Sequence, residues 1–339
     1  MKKPPAGTAV LIGSFPIYHL GHHDLMKHAL ARAASVIVVL GSAFHARTPR
    51  DPFTTEERIA MIRLALGEED GDRVRFAPVR DYYDDTRWAN AVKAAVEAMQ
   101  ADLPITLVLG NQDDAACYER CFPHWRQVRV QPRIELDGRK LRCRLIESGE
   151  DLGASVPRAV SQYLRGWLKG PHYRELAQDQ EAIRKMTDEW RAAPYEPIFS
   201  TVDAVVTCRG HVLLVKRKGR PGPGLSALPG GFLDPKERLL DGAIRELREE
   251  TGIPLEPSVL RRCLRRVVVF DHPARSMRGR TITHAHGFDL DEDRLPPVKG
   301  GDDAAAAGWV PIEKLPAMED RLFEDHFHIL DEFLHLTGL

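Results

Sequence analysis

The sequence predicts an α/β fold with a parallel sheet for its first half and an α+β fold with a mixed sheet for its second half. In the first half, short apolar runs alternate with helical patterns, which is typical of a parallel sheet covered on both faces. After residue 200 strand patterns predominate, and only two helices are predicted. Pro194 and Pro197 indicate a linker, so we place the domain boundary near residue 190, between domains at residues 1–190 and 191–339.

The elements of the first half follow from local patterns. Continuous apolar runs predict buried strands at residues 9–12, 35–40 and 105–109. Helical spacing predicts helices at residues 25–34, 88–100 and 170–194, and a further helix that starts near residue 53. Thr54 or Thr55 is expected to cap this further helix, because a hydroxyl can accept a hydrogen bond from a free backbone N–H group.

In the second half, apolar runs predict strands at residues 201–208, 212–216, 266–270 and 281–290. Two helices are predicted, at residues 241–250 and 319–336. The first of them carries an apolar stripe that we expect to face the sheet, made by Leu240, Ala243, Ile244 and Leu247. Together these elements indicate an α+β domain with a mixed sheet.

Length, charge and cysteine content restrict the class of protein. A chain of 339 residues is long enough for two domains of ordinary size. Its net charge of −1 supplies no global basic field, so we expect neither nucleic acid nor a membrane as a partner. Five scattered cysteines are expected to be reduced thiols, which indicates a cytoplasmic protein, and residues 9–12 are too few for a signal sequence. A homo-oligomer is compatible with these features.

The most specific pattern in the chain begins at Gly231 and reads G-x5-E-x7-R-E-L-x-E-E-x-G-I as far as Ile253. Its residues Glu246, Glu249 and Glu250 are three and four residues apart in a predicted helix, so they share one face. Three carboxylates there repel one another unless a cation joins them, and oxygen ligands suit Mg2+, with Mn2+ as a second candidate. A solvated acidic surface is the alternative interpretation, and the complete spacing favours the metal site.

The other residues of this pattern are expected to support the site. Gly231, with Gly230 before it, allows a tight turn ahead of the helix, and Gly252 is placed to end the helix. Arg245 is expected to hold one of the carboxylates, and Glu237 to add a ligand or to orient the loop. A metal held in this way can offset the charge of a diphosphate and lower the pKa of a bound water.

A second candidate site follows the first predicted strand, in the segment Gly13-Ser-Phe-Pro-Ile-Tyr-His-Leu-Gly-His22. His19 and His22 are expected at the start of a helix, where imidazole N–H groups and the helix dipole can stabilise negative charge. Attack on the α-phosphate of ATP builds charge on the phosphate oxygens and on the leaving pyrophosphate, and donors placed there stabilise it. The two histidines are therefore candidate catalytic residues.

The two patterns resemble those of known families. The pattern from Gly231 to Ile253 resembles the signature of the Nudix hydrolases, which cut a nucleoside diphosphate linked to another group. His19-Leu-Gly-His22 resembles the HxGH motif of Rossmann-like nucleotidyltransferases that transfer an adenylyl group. The order of the domains is similar to that of bifunctional nicotinamide mononucleotide (NMN) adenylyltransferases fused to a Nudix ADP-ribose pyrophosphatase.

The first domain resembles the archaeal-type NMN adenylyltransferases over about residues 8–165. The similarity lies in Arg47-Thr-Pro-Arg-Asp-Pro-Phe53 and in Leu152-Gly-Ala-Ser155-Val-Pro-Arg158, among other segments. It implies that Trp88 stacks on the nicotinamide ring, that Arg158 binds the triphosphate, and that the two histidines stabilise the transition state. By the same resemblance, the residues that contact ATP or NMN are Gly13, Ser14, Phe15, Arg47, Trp88, Ser155 and Arg158.

The second domain resembles the ADP-ribose pyrophosphatase half in the segments Arg275-Ser-Met-Arg-Gly-Arg-Thr-Ile-Thr-His284 and Phe323-Glu-Asp-His326. The resemblance implies that ADP-ribose contacts Gly231, Arg278 and Arg280, and guanidinium groups suit a diphosphate or a terminal ribose phosphate. The candidates for acid–base chemistry, none of them assigned, are His272, His284, His286 and His326.

Several positions depart from the adenylyltransferase pattern. Ser14 stands where that family usually has an arginine, and Asp113 where it has a lysine. Asp84 replaces an asparagine, and Gly153 replaces a serine. Losing a charge-assisted phosphate contact costs ~1.5–3 kcal/mol, and a carboxylate near a triphosphate is repulsive.

These departures leave two hypotheses. In the first, one domain makes NAD and pyrophosphate from NMN and ATP, and the other hydrolyses ADP-ribose to AMP and ribose 5-phosphate. In the second, only the Nudix domain is an enzyme, and the first domain is a nucleotide-binding or regulatory module. Under the first hypothesis, Arg47, Arg50 or Arg58 is a candidate to replace the missing charge.

Overall fold

The structure, a computed structural model, describes residues 6–99, 104–110, 115–131, 133, 134 and 136–338. The chain divides into two units, Met1–Ala177 and Gln178–Leu339. The division lies within a helix that runs from Pro171 to Glu189, and the predicted boundary near residue 190 lies just after that helix ends. Among the described residues, no helix is both long enough and apolar enough to cross a bilayer.

The first unit is built from strands and helices that alternate along the chain. The strands are β1 Thr8–Gly13, β2 Ser35–Leu40, β3 Val74–Pro78, β4 Ile105–Leu109 and β5 Arg126–Arg129. The helices are α1 Leu20–Leu30, α2 Thr55–Gly71, α3 Asp85–Ala98, α4 Ala115–Cys121, α5 Gly138–Ser148, α6 Arg158–Trp167 and α7 Pro171–Glu189. All strand pairs are parallel, in the order β3-β2-β1-β4-β5, which confirms the predicted α/β fold.

Successive residues of the central strands enter two separate cores. Leu11 and Val38 belong to one buried cluster, whereas Val10 and Ile37 belong to the other. Because side chains alternate between the faces of a sheet, both faces are covered. The continuous apolar runs of the sequence are explained by this double burial.

Two helices begin earlier than their apolar spacing predicts, because a polar residue caps each of them. Helix α1 begins at Leu20, after His19, and α3 begins at Asp85, after Asp84. Thr54 caps α2 and forms a reciprocal capping box with Glu57, as the sequence led us to expect for that position. The apolar pattern of a helix therefore marks its buried middle, while the cap marks where it starts.

The second unit contains a seven-stranded mixed sheet. Its strands are β6 Ile198–Cys208, β7 His211–Arg217, β8 Ser226–Ala227, β9 Gly230–Phe232, β10 Leu264–Phe270, β11 Arg280–Asp289 and β12 Ala304–Pro311. The main path is β10-β11-β6-β7-β12, with β8 paired to β7 and β9 paired to β6. The β11–β6 pair is parallel and the other pairs described are antiparallel, so the predicted mixed sheet is confirmed.

Helix α8, Leu239–Thr251, packs its apolar stripe against this sheet. Ala243, Ile244 and Leu247 share a buried cluster with Val202 and Val206 of β6. Gly252 follows the helix in the left-handed conformation, with φ of 56°, and ends it as predicted. The acidic residues of the helix are thereby held on the side away from this stripe.

The prediction of one helix over residues 319–336 is wrong. Two short 3-10 turns, Ile312–Ala317 and Glu319–Arg321, come first, and the remaining helices are α9 Pro257–Cys263 and α10 His326–Leu334. Glu324 has a φ of 44°, which a helix cannot continue through. Its carboxylate and that of Asp325 are held by Arg278 and Arg275, so these ion pairs fix a turn where the local pattern predicts a helix.

Candidate active sites

The first site lies at the edge of the parallel sheet where the strands end. Because the strands are parallel, the loops after β1, β2 and β3 all leave from this edge. Strands β1 and β4 are neighbours although they are not consecutive in the chain, so the order of the sheet reverses between them. Ligands of open α/β sheets bind at such a switch point, outside the carboxyl ends of the strands.

His19 and His22 are brought together at the start of α1. Their rings are stacked, with centroids 3.6 Å apart and an angle of 17° between the planes. The backbone N–H of His22 donates to Nδ1 of His19 over 3.3 Å, and Nδ1 of His22 donates to the Ile17 carbonyl over 3.2 Å. These bonds leave Nε2 of His19 as a donor and Nε2 of His22 as an acceptor when both rings are neutral.

Burial keeps both rings neutral at neutral pH. It lowers the pKa of His19 to about 4, against a smaller opposing effect of Asp137. The pKa of His22 is also lowered well below its ordinary value, by burial and then by the neighbouring His19. Negative charge from a bound phosphate would raise both pKa values, so the pair can take up a proton as charge develops.

Arg58 holds the loops of this site rather than presenting its charge to a ligand. Its guanidinium is buried, and Nη1 donates to the carbonyls of Ser14 over 2.5 Å and of Gly41 over 2.8 Å. Nη2 donates to the Ser42 carbonyl over 2.9 Å. The loops after β1 and β2 are therefore tied together by one side chain, and Arg58 is a poor candidate for replacing the arginine absent at position 14.

Arg47, another of the three candidate cations, is paired with an acid. Its guanidinium donates to both carboxylate oxygens of Glu57, with Nη2 3.0 Å from Oε1. Glu57 also accepts from the backbone N–H of Thr54 over 3.0 Å, as part of the α2 cap. The charge of Arg47 is thus largely offset, so a triphosphate would have to share this residue with Glu57.

Trp88 lies on the first turns of α3 in a group of aromatic rings. Its ring is stacked on Tyr118 at 5.4 Å and meets Phe122 edge-on at 5.9 Å. Asp84 accepts from the backbone N–H of Arg87 over 2.7 Å, so its carboxylate performs the capping that an asparagine would perform there. Asp113 lies outside the described residues.

Ser155 and Arg158 lie around the start of α6. Ser155 ends a 3-10 turn, Gly153–Ser155, and Arg158 is the first residue of the helix, with its side chain exposed. Gly153 has a φ of 43°, a conformation that glycine adopts without strain. The positive φ of Gly153 therefore explains why a glycine occupies this position. Arg158 lies at the start of α6, where a helix can bind an anion.

The second site is a cavity of about 350 Å3 beside the second half of α8. Glu246 and Glu250 line it, together with Gly230 and Gly231. A Cβ atom added to Gly231 would lie 2.5 Å from Oε1 of Glu246, and one added to Gly230 would overlap the Val202 carbonyl oxygen. The two glycines thus let the backbone pass directly over the acidic residues, but they lie in strand β9 and not in the predicted tight turn, because the close approach to Val202 and Glu246 is what requires glycine there.

Arg245 joins three of the acidic residues. Its Nη2 and Nε donate to the two oxygens of Glu237 over 2.6 and 3.1 Å. Its Nη1 donates to Glu246 over 2.9 Å and to Glu249 over 3.0 Å. Arg245 was expected to hold one carboxylate and holds three, while Glu237 also accepts from the backbone N–H of Asp234 and orients the loop.

Glu250 is the most buried of the acidic residues on α8. It accepts from the backbone N–H of Gly230 over 3.0 Å, and burial followed by the charge of Glu246 raises its pKa to about 8. Burial also raises the pKa of Glu246, whereas the Glu249 side chain is about half exposed. The three predicted ligands therefore differ, because Glu246 and Glu250 line the cavity and Glu249 is not among its lining residues.

The donor set suits a hard divalent cation. The oxygens of Glu246 and Glu250 are held at a buried site where negative charge is poorly compensated, which a cation would correct. Within the described parts of the chain, no three acidic, histidine or cysteine side chains converge closely enough to hold an ion as they stand. Arg245 keeps two of the three glutamates, so a cation would compete with its guanidinium for Glu246 and Glu249.

Two residues of the cavity were not singled out from the sequence. Asp203 of β6 accepts from the hydroxyl of Thr283 over 2.5 Å, and Arg217 lies at the end of β7 with its guanidinium 3.9 Å from the Phe323 ring centre. Asp203 could have been found from the sequence, because it is a carboxylate within the apolar run of β6. Arg217 gave no such signal, because a basic residue at the end of a strand is common on surfaces.

Arg278 and Arg280 occupy different positions around the cavity. Arg278 lines it, and Nη2 donates to the buried carboxylate of Glu324 over 3.2 Å. Arg280 donates to the Asp271 carbonyl over 2.6 Å and is not among the residues that line this cavity. Arg278 is therefore the better placed of the two for contact with a diphosphate.

The candidate histidines have structural contacts. Nδ1 of His326 accepts from the backbone N–H of Leu228 over 2.8 Å, and burial lowers its pKa to about 4. Nδ1 of His286 donates to the His284 carbonyl over 2.8 Å. His272 caps a turn by accepting from the backbone N–H of Ala274 over 3.2 Å. Of these rings, only His326 lines the cavity. Because its Nδ1 is an acceptor, the neutral ring carries its proton on Nε2, which lies 3.9 Å from Oδ1 of Asp203.

A residue of α7 supports the cavity from outside the strands. Asp179 is buried, and its carboxylate accepts from Nη1 of Arg220 over 2.6 Å and from the backbone N–H of Gly222 over 3.2 Å. The loop that it holds includes Pro221, whose carbonyl accepts from Nε of Arg217 over 3.1 Å. Asp179 thereby fixes the loop that orients a cavity arginine.

Comparison with known proteins gives two family matches. The model described as the NUDIX domain matches residues 198–333, and the model described as cytidylyltransferase-like matches residues 10–127. A nicotinamide/nicotinic acid mononucleotide adenylyltransferase of Acinetobacter baylyi is 29% identical over 174 residues, which are 51% of this chain and 93% of the relative. An ADP-ribose pyrophosphatase of Methanocaldococcus jannaschii is 34% identical over 134 residues, 39% of this chain and 71% of the relative.

Solved structures similar to the whole chain are also known. A bifunctional NMN adenylyltransferase/ADP ribose pyrophosphatase from Francisella tularensis is 32% identical, with a TM-score of 0.90. The match covers 97% of this chain and 98% of that one. A second structure of the Francisella protein, complexed with AMP and a Mn ion, matches equally well.

Proposed function

Since this chain belongs to the family of bifunctional NMN adenylyltransferase/Nudix ADP-ribose pyrophosphatase proteins, we propose that it carries both activities. The first unit joins NMN and ATP to give NAD and pyrophosphate. The second unit hydrolyses ADP-ribose to AMP and ribose 5-phosphate. The observation that carries the proposal is the presence, in one chain, of a histidine pair at a helix start and an acidic cavity on α8.

Adenylyl transfer is supported by the contacts of His19 and His22. The stacked rings lie at the start of α1, next to the switch point of the sheet. Neutral His19 has a free Nε2–H that can donate to a phosphate oxygen, and protonation of the pair would add charge as the pyrophosphate leaves. Positioning and charge stabilisation are the main demands of phosphoryl and nucleotidyl transfer, so no further acid is needed for this proposal.

Hydrolysis is supported by Glu246 and Glu250, which line the cavity beside the two glycines of β9. We propose that these two residues and Glu249 hold a divalent cation, Mg2+ or alternatively Mn2+, as the acidic pattern of α8 suggests. When bound, the ion supplies charge neutralisation at the diphosphate and an acidified water. Arg217 and Arg278 bind the diphosphate, and Gly231 lets it approach the backbone.

Two single substitutions in the full chain test the two activities separately. NAD formation from NMN and ATP should persist in Glu250→Gln, in which ADP-ribose hydrolysis is lost. ADP-ribose hydrolysis should persist in Trp88→Ala, in which NAD formation is lost. Hydrolysis that survives Glu250→Gln would refute the assignment of the acidic site.

A second candidate function is that the first unit only binds nucleotides. The Arg47–Glu57 pair and the use of Arg58 by backbone carbonyls favour it, because both withhold cations from a triphosphate. NMN or NAD would then bind to the full-length protein in calorimetry without any NAD synthesis. Turnover of NMN that depends on Trp88 would exclude this second function.

A further inference from the structure

Two of the five cysteines lie side by side on α4. Cys117 and Cys121 are four residues apart in this helix, so they share one of its faces. Their Sγ atoms are 3.9 Å apart, and both residues are half-buried. The sequence suggested five scattered thiols, whereas the fold brings these two together and places the others on separate elements, Cys143 on α5, Cys208 on β6 and Cys263 on α9.

A carboxylate from the neighbouring helix reaches this pair. Asp85 is the first residue of α3, and its Oδ2 accepts from Sγ of Cys117 over 3.7 Å. Trp88, one turn further along α3, stacks on Tyr118, which follows Cys117 in α4. The two thiols and the carboxylate therefore lie where α3 and α4 meet, beside this aromatic stack.

The geometry of a helix argues against a disulfide between the two thiols. Residues four apart in a helix have Cβ atoms about 5–6 Å from each other. A disulfide requires Cβ atoms about 3.5–4.5 Å apart, so α4 would have to unwind before the bond could form. The pair is better suited to an atom that lies between the two sulfurs.

A single soft cation fits the spacing of the side chains. Two sulfurs bound to a tetrahedral Zn2+, at about 2.3 Å each, lie about 3.8 Å apart, close to the 3.9 Å between Cys117 and Cys121. A carboxylate oxygen on the same ion lies about 3.5 Å from each sulfur, close to the 3.7 Å between Asp85 and Cys117. The two thiols form the site as it stands, and a change of rotamer lets Asp85 complete it.

The surroundings of Cys117 favour a cation over a free thiolate. Burial, then Cys121 and Asp85, raise the pKa of the Cys117 thiol to about 11, against a smaller opposing effect of Arg120. Cys117 is therefore protonated at neutral pH, and a bound cation takes the place of the thiol protons. Binding of one Zn2+ to two thiols releases two protons and leaves two thiolates on the ion.

We propose that Cys117, Cys121 and Asp85 form a site for one soft divalent cation, such as Zn2+, which joins α3 to α4. Thiolates select soft ions, whereas the oxygen ligands of α8 suit hard ones, so the two sites would take different metals. The proposal depends on neither of the two proposed activities, because it follows from the contacts of α3 and α4 alone.

The first test is a titration of the reduced full-length protein with Co2+, a spectroscopic substitute for Zn2+. Charge transfer from thiolate to cobalt gives an ultraviolet band that an ion held only by carboxylates lacks. The band should saturate at one equivalent, vanish on addition of Zn2+, and be absent from Cys117→Ser and Cys121→Ser. Cys143→Ser is the matched control and should keep it, while Asp85→Asn should bind Co2+ about tenfold more weakly or worse. No band in the parent, or an undiminished band in both serine variants of α4, would overturn the proposal.

The second test uses the unaltered protein, so no variant can mislead by misfolding. Iodoacetamide alkylates free thiols, and trypsin cleavage after Arg120 places Cys117 and Cys121 on separate peptides for mass spectrometry. Zn2+ should slow the alkylation of both residues together and leave the rates at Cys143 and Cys263 unchanged. Equal rates for the α4 pair with and without Zn2+ would refute the site.

Discussion

Arg275 and Asp325 form a buried, two-bonded ion pair. Nη2 lies 2.8 Å from Oδ1 and Nε lies 2.9 Å from Oδ2, while the two side chains are only 3% and 2% exposed. The pair lies directly before α10 and next to the Arg278–Glu324 pair. It therefore holds the turn that replaces the predicted helix, and with it the wall of the acidic cavity that includes Arg275 and His326.

Removing the charge of Asp325 should destabilise the second unit severely. Asp325→Asn leaves the Arg275 guanidinium buried without the carboxylate to which it donates two hydrogen bonds, which costs about 3–5 kcal/mol. Denaturant unfolding of the full chain measures this loss. Glu181→Gln is the control, because its 2.8 Å pair with Arg184 is exposed and its loss should leave the transition unmoved. Equal unfolding midpoints for the two variants would contradict the prediction.

Glu250→Gln should separate activity from folding. The amide oxygen can still accept from the backbone N–H of Gly230, so we expect the unfolding transition to stay close to that of the parent. The negative oxygen offered to a cation is lost, so ADP-ribose hydrolysis should fall by roughly a hundredfold or more. Parallel measurements of kcat and of thermal unfolding decide the point, and a variant that loses both would indicate a structural role alone.

Alanine at Gly231 should impair activity, whereas alanine at the neighbouring Gly230 should lower stability. A Cβ atom at Gly231 meets the carboxylate of Glu246, a movable side chain, so Gly231→Ala should impair hydrolysis while the fold is kept. A Cβ atom at Gly230 meets the Val202 backbone carbonyl, which cannot move aside, so Gly230→Ala should lower stability by about 1–3 kcal/mol. Hydrolysis rates and unfolding midpoints of both variants test the contrast, and a stable Gly230→Ala protein would argue against this packing.

The stability of the first unit should depend on pH through His19. Burial lowers its pKa to about 4 in the folded protein, while the unfolded chain has a pKa near 6.5. The unfolded state binds more protons between these values, so stability is complete above about pH 6.5 and falls toward pH 4, by up to ~1.4 kcal/mol per pH unit. Denaturant unfolding at pH 7.5, 6 and 5 should show a shallower decline in His19→Gln. His124→Gln, at an exposed position, should decline like the parent, and identical slopes in all three proteins would refute the prediction.

The elements that could be predicted from the sequence are those determined by near neighbours. Helix α8 follows from the spacing of Ala243, Ile244 and Leu247 and from Gly252, all within one helix length. The cap of α2 follows from Thr54 and Glu57, three residues apart. The acidic site could be located for the same reason, since its glutamates lie on consecutive turns.

What could not be predicted depends on pairs that are distant in the sequence. The turn before α10 is fixed by Arg275 and Arg278, which reach Asp325 and Glu324 across 50 and 46 residues. Asp203 becomes part of the cavity only because β6 lies beside β9 and β11. Local patterns carry no information about such partners. The helix predicted over residues 319–336 therefore ran through Glu324 and Asp325, which pair with the two arginines.

The position of Asp179 has a consequence for how the protein can be separated into fragments. A protease that cut at residues 190–197 would leave α7 on the N-terminal fragment. The carboxylate of Asp179, which accepts from Arg220 and Gly222, would then be separated from the hydrolase. The released hydrolase piece would carry every residue of the matched region and would still lack one of its own supports. A gene for the hydrolase alone would therefore have to begin inside α7, at or before residue 178, to keep Asp179. The two units share this helix, so a chain divided at the end of α7 leaves the hydrolase without Asp179.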